Sequence, residues 1–334
     1  MDFLNLEGKM AAKLITVFGG SGFVGRHLVS ALAKRGHRIR VAVRRPDLAI
    51  HLQPLGTVSQ IQPIQANLRY PNSVAAAIKG ADAVINLVGI LAESGRQTFS
   101  SVQSEGARNV AKACQDEGIT NFVQMSALGA DSNSSSVYAQ TKAYAEQIAT
   151  QLVPTATIIR PSIVFGPEDN FFNQFAGLAK MLPALPLIGG GDTKFQPVFV
   201  GDVAELIAKV IDGDVKAGTV YELGGSDIMS FKEILQYILD ITARKRLLVP
   251  IPFSVAMMQA AIMEWLPGQM LTRDQVRLLQ QDNVVSQDAI AERRTLEGVG
   301  IKAASVAAIV PTYLYKFRKA GQFEKMNRIE NKPG

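Results

Sequence analysis

The chain has little of what a metal centre or a disulfide scaffold needs. Its 334 residues include one cysteine, Cys114, so no disulfide framework and no CxxC pair can form within it. That points to a small buried residue in a reducing, cytoplasmic setting. Its three histidines, His27, His37 and His51, show no ligand spacing, and no metal site is expected. No uncharged run of roughly 20 residues is continuously apolar enough for a spanning helix; the longest, 48–68, is interrupted by His51 and four glutamines. The opening string MDFLNLEGKM carries two acids and no long apolar core, unlike a secretory or organellar leader. Neither sign of charge dominates: 35 Lys and Arg stand against 29 Asp and Glu, a net charge of +6. That bias suits anionic phosphates, a membrane surface or an acidic partner and selects none of them; a nucleic-acid partner is not expected.

What is present begins with VFGGSGFVG at 17–25, whose glycines at 19, 22 and 25 separate a short apolar run, 13–18, from an amphipathic one, 23–35. Val24, Leu28, Leu32 and Ala33 share one helical face there, so the pattern is strand, tight turn, helix. Glycine lets the backbone approach a pyrophosphate, and the free N–H groups at the helix start supply donors and positive dipole. Gly19, Ser21, Gly22, Phe23, Val24 and Gly25 are therefore the candidate phosphate-binding residues, against the alternative of an ordinary tight turn.

An NAD-binding unit carries an acid about 20 residues further on, for the ribose hydroxyls. This chain has Arg44 and Arg45 at the end of the apolar run 39–43. A guanidinium pair suits a 2′-phosphate, so the expected cofactor is NADPH or NADP rather than NAD. The plainer alternative is a solvated arginine pair.

Further strand-like runs fall at 61–65, 83–88, 121–125 and 155–159, with helical patterns at 74–79, 104–117 and 138–152 between them. This alternation predicts a doubly wound α/β fold with a parallel sheet. Such a length predicts a second, smaller, mainly helical unit. The boundaries read from composition are a Rossmann domain over 12–165, completed by roughly 196–225, and a substrate or partner domain over 166–195 and 226–334.

Tyr138-Ala-Gln-Thr-Lys142 opens one of the helical patterns, placing its tyrosine and lysine one turn apart on a single face. An ammonium near a phenol favours phenolate, so Tyr138 could pass the proton that accompanies hydride transfer at a carbonyl. A surface tyrosine stacked on a lysine is the plain alternative. Glu168 and Asp169 are read as shaping a loop and capping the next helix, and Asp202 as an N-cap.

Together these motifs resemble the short-chain dehydrogenase/reductase superfamily in its extended and atypical branches. Asn67-Leu68, Val88-Gly89, Tyr138 with Lys142, and the run Arg160-Pro-Ser-Ile-Val-Phe-Gly166 follow the glycine turn in the expected order. The resemblance implies that Asn67 or Leu68 borders the adenine and that Pro161 and Ile163 border the nicotinamide. The strings SSSVY at 134–138, GPEDNFFNQF at 166–175, QPVFVGDV at 196–203 and LTRDQV at 271–276 are closer still to the dehydrogenase-fold accessory subunits of respiratory complex I, NADH:ubiquinone oxidoreductase, and their alphaproteobacterial relatives. That resemblance implies a held nucleotide, usually NADPH, with a structural role among complex I subunits. Extended members place a Ser or Thr two positions beyond the first serine after strand five; here the segment reads Ser126-Ala-Leu128. Ser126, or one of Ser134 to Ser136, could substitute. The alternative is an active reductase or sugar-nucleotide epimerase or dehydratase that uses Tyr138, Lys142 and Ser126 on a small-molecule substrate.

The C-terminal third carries an uncharged stretch, 247–263, with Met257, Met258, Ile262 and Met263, followed by Trp265 and a Pro-Gly stop at 267–268. A basic tail runs from Lys316 through Lys325 and Arg328. The stretch is either core of the smaller unit or a face for a partner or lipid. On the second reading the protein is peripheral on the inner face of the cell membrane.

Overall fold

The computed structural model describes residues 12–264, 271–319 and 321. Trp265, the Pro-Gly stop and the tail beyond 321 lie outside the described residues. In chain order the strands are β1 (Leu14–Phe18), β2 (Arg38–Val43), β3 (Ile61–Gln65), β4 (Ala83–Asn86), β5 (Phe122–Met125), β6 (Thr157–Pro161), β7 (Val164–Phe165), β8 (Ala184–Ile188), β9 (Lys194–Phe195), β10 (Val198–Phe199), β11 (Val220–Leu223), β12 (Met229–Ser230) and β13 (Leu247–Ile251). The principal helices are α1 (Phe23–Lys34), α2 (Pro71–Ile78), α3 (Glu105–Asp116), α4 (Val137–Leu152), α5 (Phe172–Met181), α6 (Val200–Asp212), α7 (Phe231–Ile241) and α8 (Phe253–Met263).

The chain divides into two compact units, one of 1–161, 200–223 and 285–302, the other of 162–199, 224–284 and 303–334. The first holds a seven-stranded sheet in the order β11-β6-β5-β4-β1-β2-β3, every pairing parallel. Its strands read as continuous apolar runs because helices cover both faces. Ile15, Val17, Val41, Val84, Ile85, Val123 and Ile159 are all fully buried. The division gives 285–302 to the first unit, whereas the boundaries read from composition put it in the second. The reason is edge protection: Glu222 donates its N–H to the Arg294 carbonyl, and Arg294 Nη1 returns a bond to the Val220 carbonyl, so this segment lies along the free edge of β11.

The second unit is built around phenylalanine. Phe165, Phe172, Phe195 and Phe231 are buried with Ile234, Leu235 and Ile238 of α7. The start of α7 is a capping box, in which the Ser230 hydroxyl accepts from Glu233 N–H while the Glu233 carboxylate accepts from Ser230 N–H. Asp169 shapes its loop as expected, accepting from Gly166 N–H and from Asn173 N–H in the first turn of α5. Asp202 is a correction: α6 begins at Val200, so this residue sits inside the first turn, where its charge complements the helix dipole, rather than at the cap. Small parallel or antiparallel pairs, β7 with β10, β9 with β12 and β8 with β13, complete this unit. Among the described residues no helix is long and apolar enough to cross a membrane.

Candidate functional site

The glycine turn joins β1 to α1, and each of its three spaced glycines answers a different constraint. Gly19 has φ +77°, a left-handed conformation, and a Cβ there would press on Val88 at 3.2 Å. Gly25 lies where α1 crosses the turn, and a Cβ would come within 2.4 Å of the Gly19 carbonyl oxygen and 2.6 Å of Gly20 backbone. Gly22 is different. Its φ is −73°, open to any residue, and a Cβ would meet only the Gly19 carbonyl oxygen at 3.2 Å. Gly22 is also the N-cap of α1, without a side-chain cap, so the first-turn N–H groups of Phe23 and Val24 meet no capping side chain. A bare backbone that the dihedral does not demand, and that packing restricts through one oxygen alone, suits a pyrophosphate approach. Ser21 lies in the same turn.

Arg44 and Arg45 follow β2, and the structure separates their roles. Arg45 makes a two-pronged pair with Asp47, Nε to Oδ1 at 3.0 Å and Nη2 to Oδ2 at 2.7 Å. Arg44 donates to the Gln97 amide oxygen at 2.7 Å and has no ion-pair partner among the described residues. After β3, Asn67 turns inward, its N–H bonded to the Ser73 hydroxyl and its Oδ1 accepting from Arg69 N–H. Leu68 is buried, with its carbonyl held by Asn109 Nδ2 at 2.7 Å. Asn86 at the end of β4 accepts from Val88 N–H, which sets the Val88-Gly89 backbone.

Lys142 is the best-defined charged group of the site. It lies on α4 one turn after Tyr138, only 4% exposed, with Nζ 5.7 Å from the Tyr138 ring centre and 3.4 Å from the Met125 carbonyl oxygen. Burial pushes its ammonium down to about 8, against the opposing pull of Glu146 one turn further along. Gly89 sits directly against it: a Cβ there would be 3.1 Å from Lys142 Nζ and 3.6 Å from Gln103 Oε1. Gln103 was not evident from the sequence. It is 2% exposed, its Oε1 has no hydrogen-bond partner among the described residues, and it rides on a π-helical turn, Ser100–Ser104, that leads into α3. Such turns recur at functional sites because they re-aim a side chain. Tyr138 is half-buried with its ring edge-on to Phe99, the centroids 6.0 Å apart.

The serine and leucine in question lie apart from that cluster chemically. The Ser126 hydroxyl donates to the Glu146 carboxylate. Glu146 also receives Arg160 through Nε at 2.8 Å and Nη2 at 2.6 Å, and Arg160 reaches Glu222 at 3.5 Å. Leu128 packs with Val285 and Ala289. Ser136 caps α4 by accepting from Ala139 N–H, and Ser134 accepts from Ser136 N–H, so both have structural partners. Pro161 ends β6, its carbonyl accepting from Leu128 N–H. Ile163 packs into the phenylalanine core of the second unit.

These residues fit a dinucleotide. The turn leaves Gly22 bare, an arginine stands at the end of β2, and an unpartnered buried amide oxygen flanks a buried ammonium at the end of β4. The profile of the NAD dependent epimerase/dehydratase family matches residues 15–224. The chain belongs to that family. Over 318 residues, covering 92% of this chain and 78% of the relative, it is 34% identical to NADH dehydrogenase [ubiquinone] 1 alpha subcomplex subunit 9, mitochondrial, of Arabidopsis thaliana. It is 33% identical to a ceramide reductase of Caulobacter vibrioides over 53% of this chain and 55% of that protein. The fold matches the crystal structure of UDP-glucose 4-epimerase from Thermotoga maritima with a TM-score of 0.68, covering 92% of this chain and 99% of that one at 16% identity.

Proposed function

We propose that the protein is an accessory subunit of a respiratory NADH:ubiquinone oxidoreductase that holds NADP(H) mainly as a structural ligand. The observation that carries this reading is the commitment of Ser126 to Glu146, beside an otherwise complete set of nucleotide-facing groups. The glycine turn, Arg44 and the Val88-Gly89 backbone would hold the cofactor, with Lys142 and Gln103 beside its ribose end. When bound, the group supplies hydride chemistry; Tyr138 and Lys142 would orient it and hold a proton at the phenol oxygen. A carbonyl substrate would lack the second hydroxyl donor beside Tyr138, a loss commonly worth about 10²–10³ in rate. Similarity to the Arabidopsis subunit along most of the chain supports complex I subunits as partners. The test is native extraction from membranes, with identification of co-migrating subunits and acid-released nucleotide. Co-migration with respiratory subunits and near-stoichiometric NADPH are expected; migration alone with no nucleotide would overturn the reading.

The location proposed is peripheral, on the cytoplasmic face of the cell membrane. Its support is α8, which buries Ala256 and Ala260 while Val255, Met258 and Ile262 face outward, the last two 64% and 67% exposed. Leu247 and Val249 of β13 are exposed as well, and Arg244, Lys245 and Arg246 precede them. Replacing Met258 and Ile262 by serine should release the protein from sedimented membranes without lowering its melting temperature. An unchanged membrane fraction would remove this part of the proposal.

The second reading is an active NAD(P)H-dependent reductase or epimerase using Tyr138 and Lys142, favoured by their geometry and by the resemblance to a reductase. Its sign would be a substrate turned over at an ordinary rate, with the turnover abolished in Tyr138→Phe.

A further inference from the structure

Two arginines and one amide from three separate loops meet at a single small hairpin. Arg44 follows β2, Arg69 follows β3, and the hairpin 94–97 lies between β4 and α3. The hairpin is closed by reciprocal backbone bonds between Ser94 and Gln97, each 3.0 Å, and Gly95 supplies the left-handed φ of +55° that its turn needs. Its stem is held rigid. Phe99 N–H donates to Glu93 Oε1 at 2.6 Å, and Thr98 and Ser101 exchange backbone-to-hydroxyl bonds of 3.0 Å. The Gln97 amide oxygen accepts from Arg44 Nη1 at 2.7 Å, and the Arg96 carbonyl accepts from Arg69 Nη1 at 3.2 Å.

Neither Arg44 nor Arg69 has a carboxylate partner among the described residues, in contrast to Arg45, which pairs with the exposed Asp47. Both are braced by neutral acceptors, so each keeps its full charge and most of its five N–H donors. Two guanidinium groups held on one hairpin by neutral acceptors keep their remaining N–H donors for an anion, and an oxyanion is the ligand such donors suit.

We propose that Arg44 and Arg69 form a two-guanidinium clamp for the 2′-phosphate of NADP(H), and that Gln97 is the positioning residue that fixes the plane of Arg44. This rests on the nucleotide-holding reading above and adds its specificity determinants. Arg69 and Gln97 take the part that Arg45 was expected to share. A carboxylate at position 97 would neutralise Arg44 and favour the unphosphorylated ribose, so amide against acid at this one site sets the preference.

The experiment titrates the full chain, stripped of nucleotide, with NADPH and separately with NADH, for wild type, Arg69→Ala, Gln97→Glu and Gln97→Ala. All three changes are on half-buried or exposed loop positions, and melting temperatures measured alongside confirm folding. Arg69→Ala should weaken NADPH binding at least about tenfold, the worth of one charge-assisted bond, and leave NADH within about twofold. Gln97→Glu should move the NADPH-to-NADH ratio further toward NADH than Gln97→Ala does. If wild type prefers NADPH but neither Arg69→Ala nor Gln97→Glu changes the ratio, the clamp is overturned and the nucleotide reading stands. If wild type prefers NADH or binds neither, the nucleotide reading itself fails, and the clamp with it.

Discussion

Alanine at Gly22 and alanine at Gly25 should part ligand binding from folding. At Gly25 the added methyl would lie 2.4 Å from the Gly19 carbonyl oxygen and 2.6 Å from Gly20 backbone atoms. Those are strand-turn backbone atoms rather than the flexible end of a side chain, so the turn must open. Overpacking of this kind costs about 1–3 kcal/mol or somewhat more, against a helix-propensity gain of about 1 kcal/mol for replacing glycine. We expect a net loss of about 2 kcal/mol, a fall of roughly 4–8 °C in melting temperature for a unit of this size. At Gly22 the methyl meets one oxygen at 3.2 Å with an unstrained φ, so the free protein should lose less than about 1 kcal/mol, mostly from poorer capping. What it should lose is the ligand's contribution, about 2.7 kcal/mol when NADPH stands at a hundredfold excess over its dissociation constant. Thermal unfolding followed by circular dichroism, with and without NADPH, reads both numbers. A Gly22→Ala protein that NADPH stabilises as fully as it stabilises wild type would refute the argument that bare backbone at this position is kept for a phosphate.

Substitutions at three other positions test the electrostatics. Burial holds Lys142 at about 8, so between roughly pH 8 and 10.5 the unfolded chain binds more protons and stability rises with pH, while below 8 the whole penalty of about 3 kcal/mol applies. Lys142→Met should therefore be the more stable protein at pH 7 by up to that amount, with the advantage fading toward pH 10.5 in urea titrations. Arg160→Met leaves the buried Glu146 and Glu222 carboxylates without their shared cation and should cost about 3–5 kcal/mol at pH 7. Arg160→Lys, which keeps a cation between them, should recover part of that loss; a loss as large as that of Arg160→Met would exclude the charge argument. Tyr313→Phe removes the phenol that donates to the buried Asp169 at 2.6 Å and should cost about 1–3 kcal/mol. Burial already pushes the Asp169 carboxyl up, and losing the donor pushes it further, so this loss should be larger at pH 7 than at pH 4.

The parts of the fold legible in the sequence were those whose signal is local. β1, its glycine turn and α1 follow one another within about twenty residues, and each has its own periodicity or backbone demand. Tyr138 and Lys142 lie one turn apart on one helix, so their shared face follows from spacing alone. What could not be read depended on distant partners. Nothing near Ser126 announces that its hydroxyl is taken by Glu146, twenty positions along the chain. Gln103 faces Gly89 because a π-helical turn shifts its direction, which an even 3.6-residue repeat would not place there. The outward face of α8 was hidden for a different reason: residues 253–263 carry no charge and show no one-sided apolar stripe, so the close packing of Ala256 and Ala260 decides which way Met258 and Ile262 point. The segment 285–302 offered no strand pattern of its own, since it guards β11 through Arg294 rather than by pairing as a strand.

If the proposed structural role of the nucleotide holds, the Ser126–Glu146 bond also bears on why a tyrosine and lysine would persist beside it. In a reductase the serine hydroxyl must be free to meet a substrate oxygen, whereas here it completes a buried chain of Ser126, Glu146, Arg160 and Glu222 running from β5 to the edge strand β11. That chain holds a negative charge one turn from Lys142, which partly offsets the burial of the ammonium and keeps it protonated for most molecules at neutral pH. A buried cation so maintained is costly to the free protein and is relieved by anything that brings oxygen acceptors to it. Ribose hydroxyls are such acceptors, and the Gln103 oxygen beside Gly89, without a hydrogen-bond partner among the described residues, could accept from the same hydroxyls. On this reading the site stores its mismatch until a nucleotide resolves it. The stability gained on binding, rather than a proton delivered by Tyr138, is then what selection would preserve in Lys142 and Gln103.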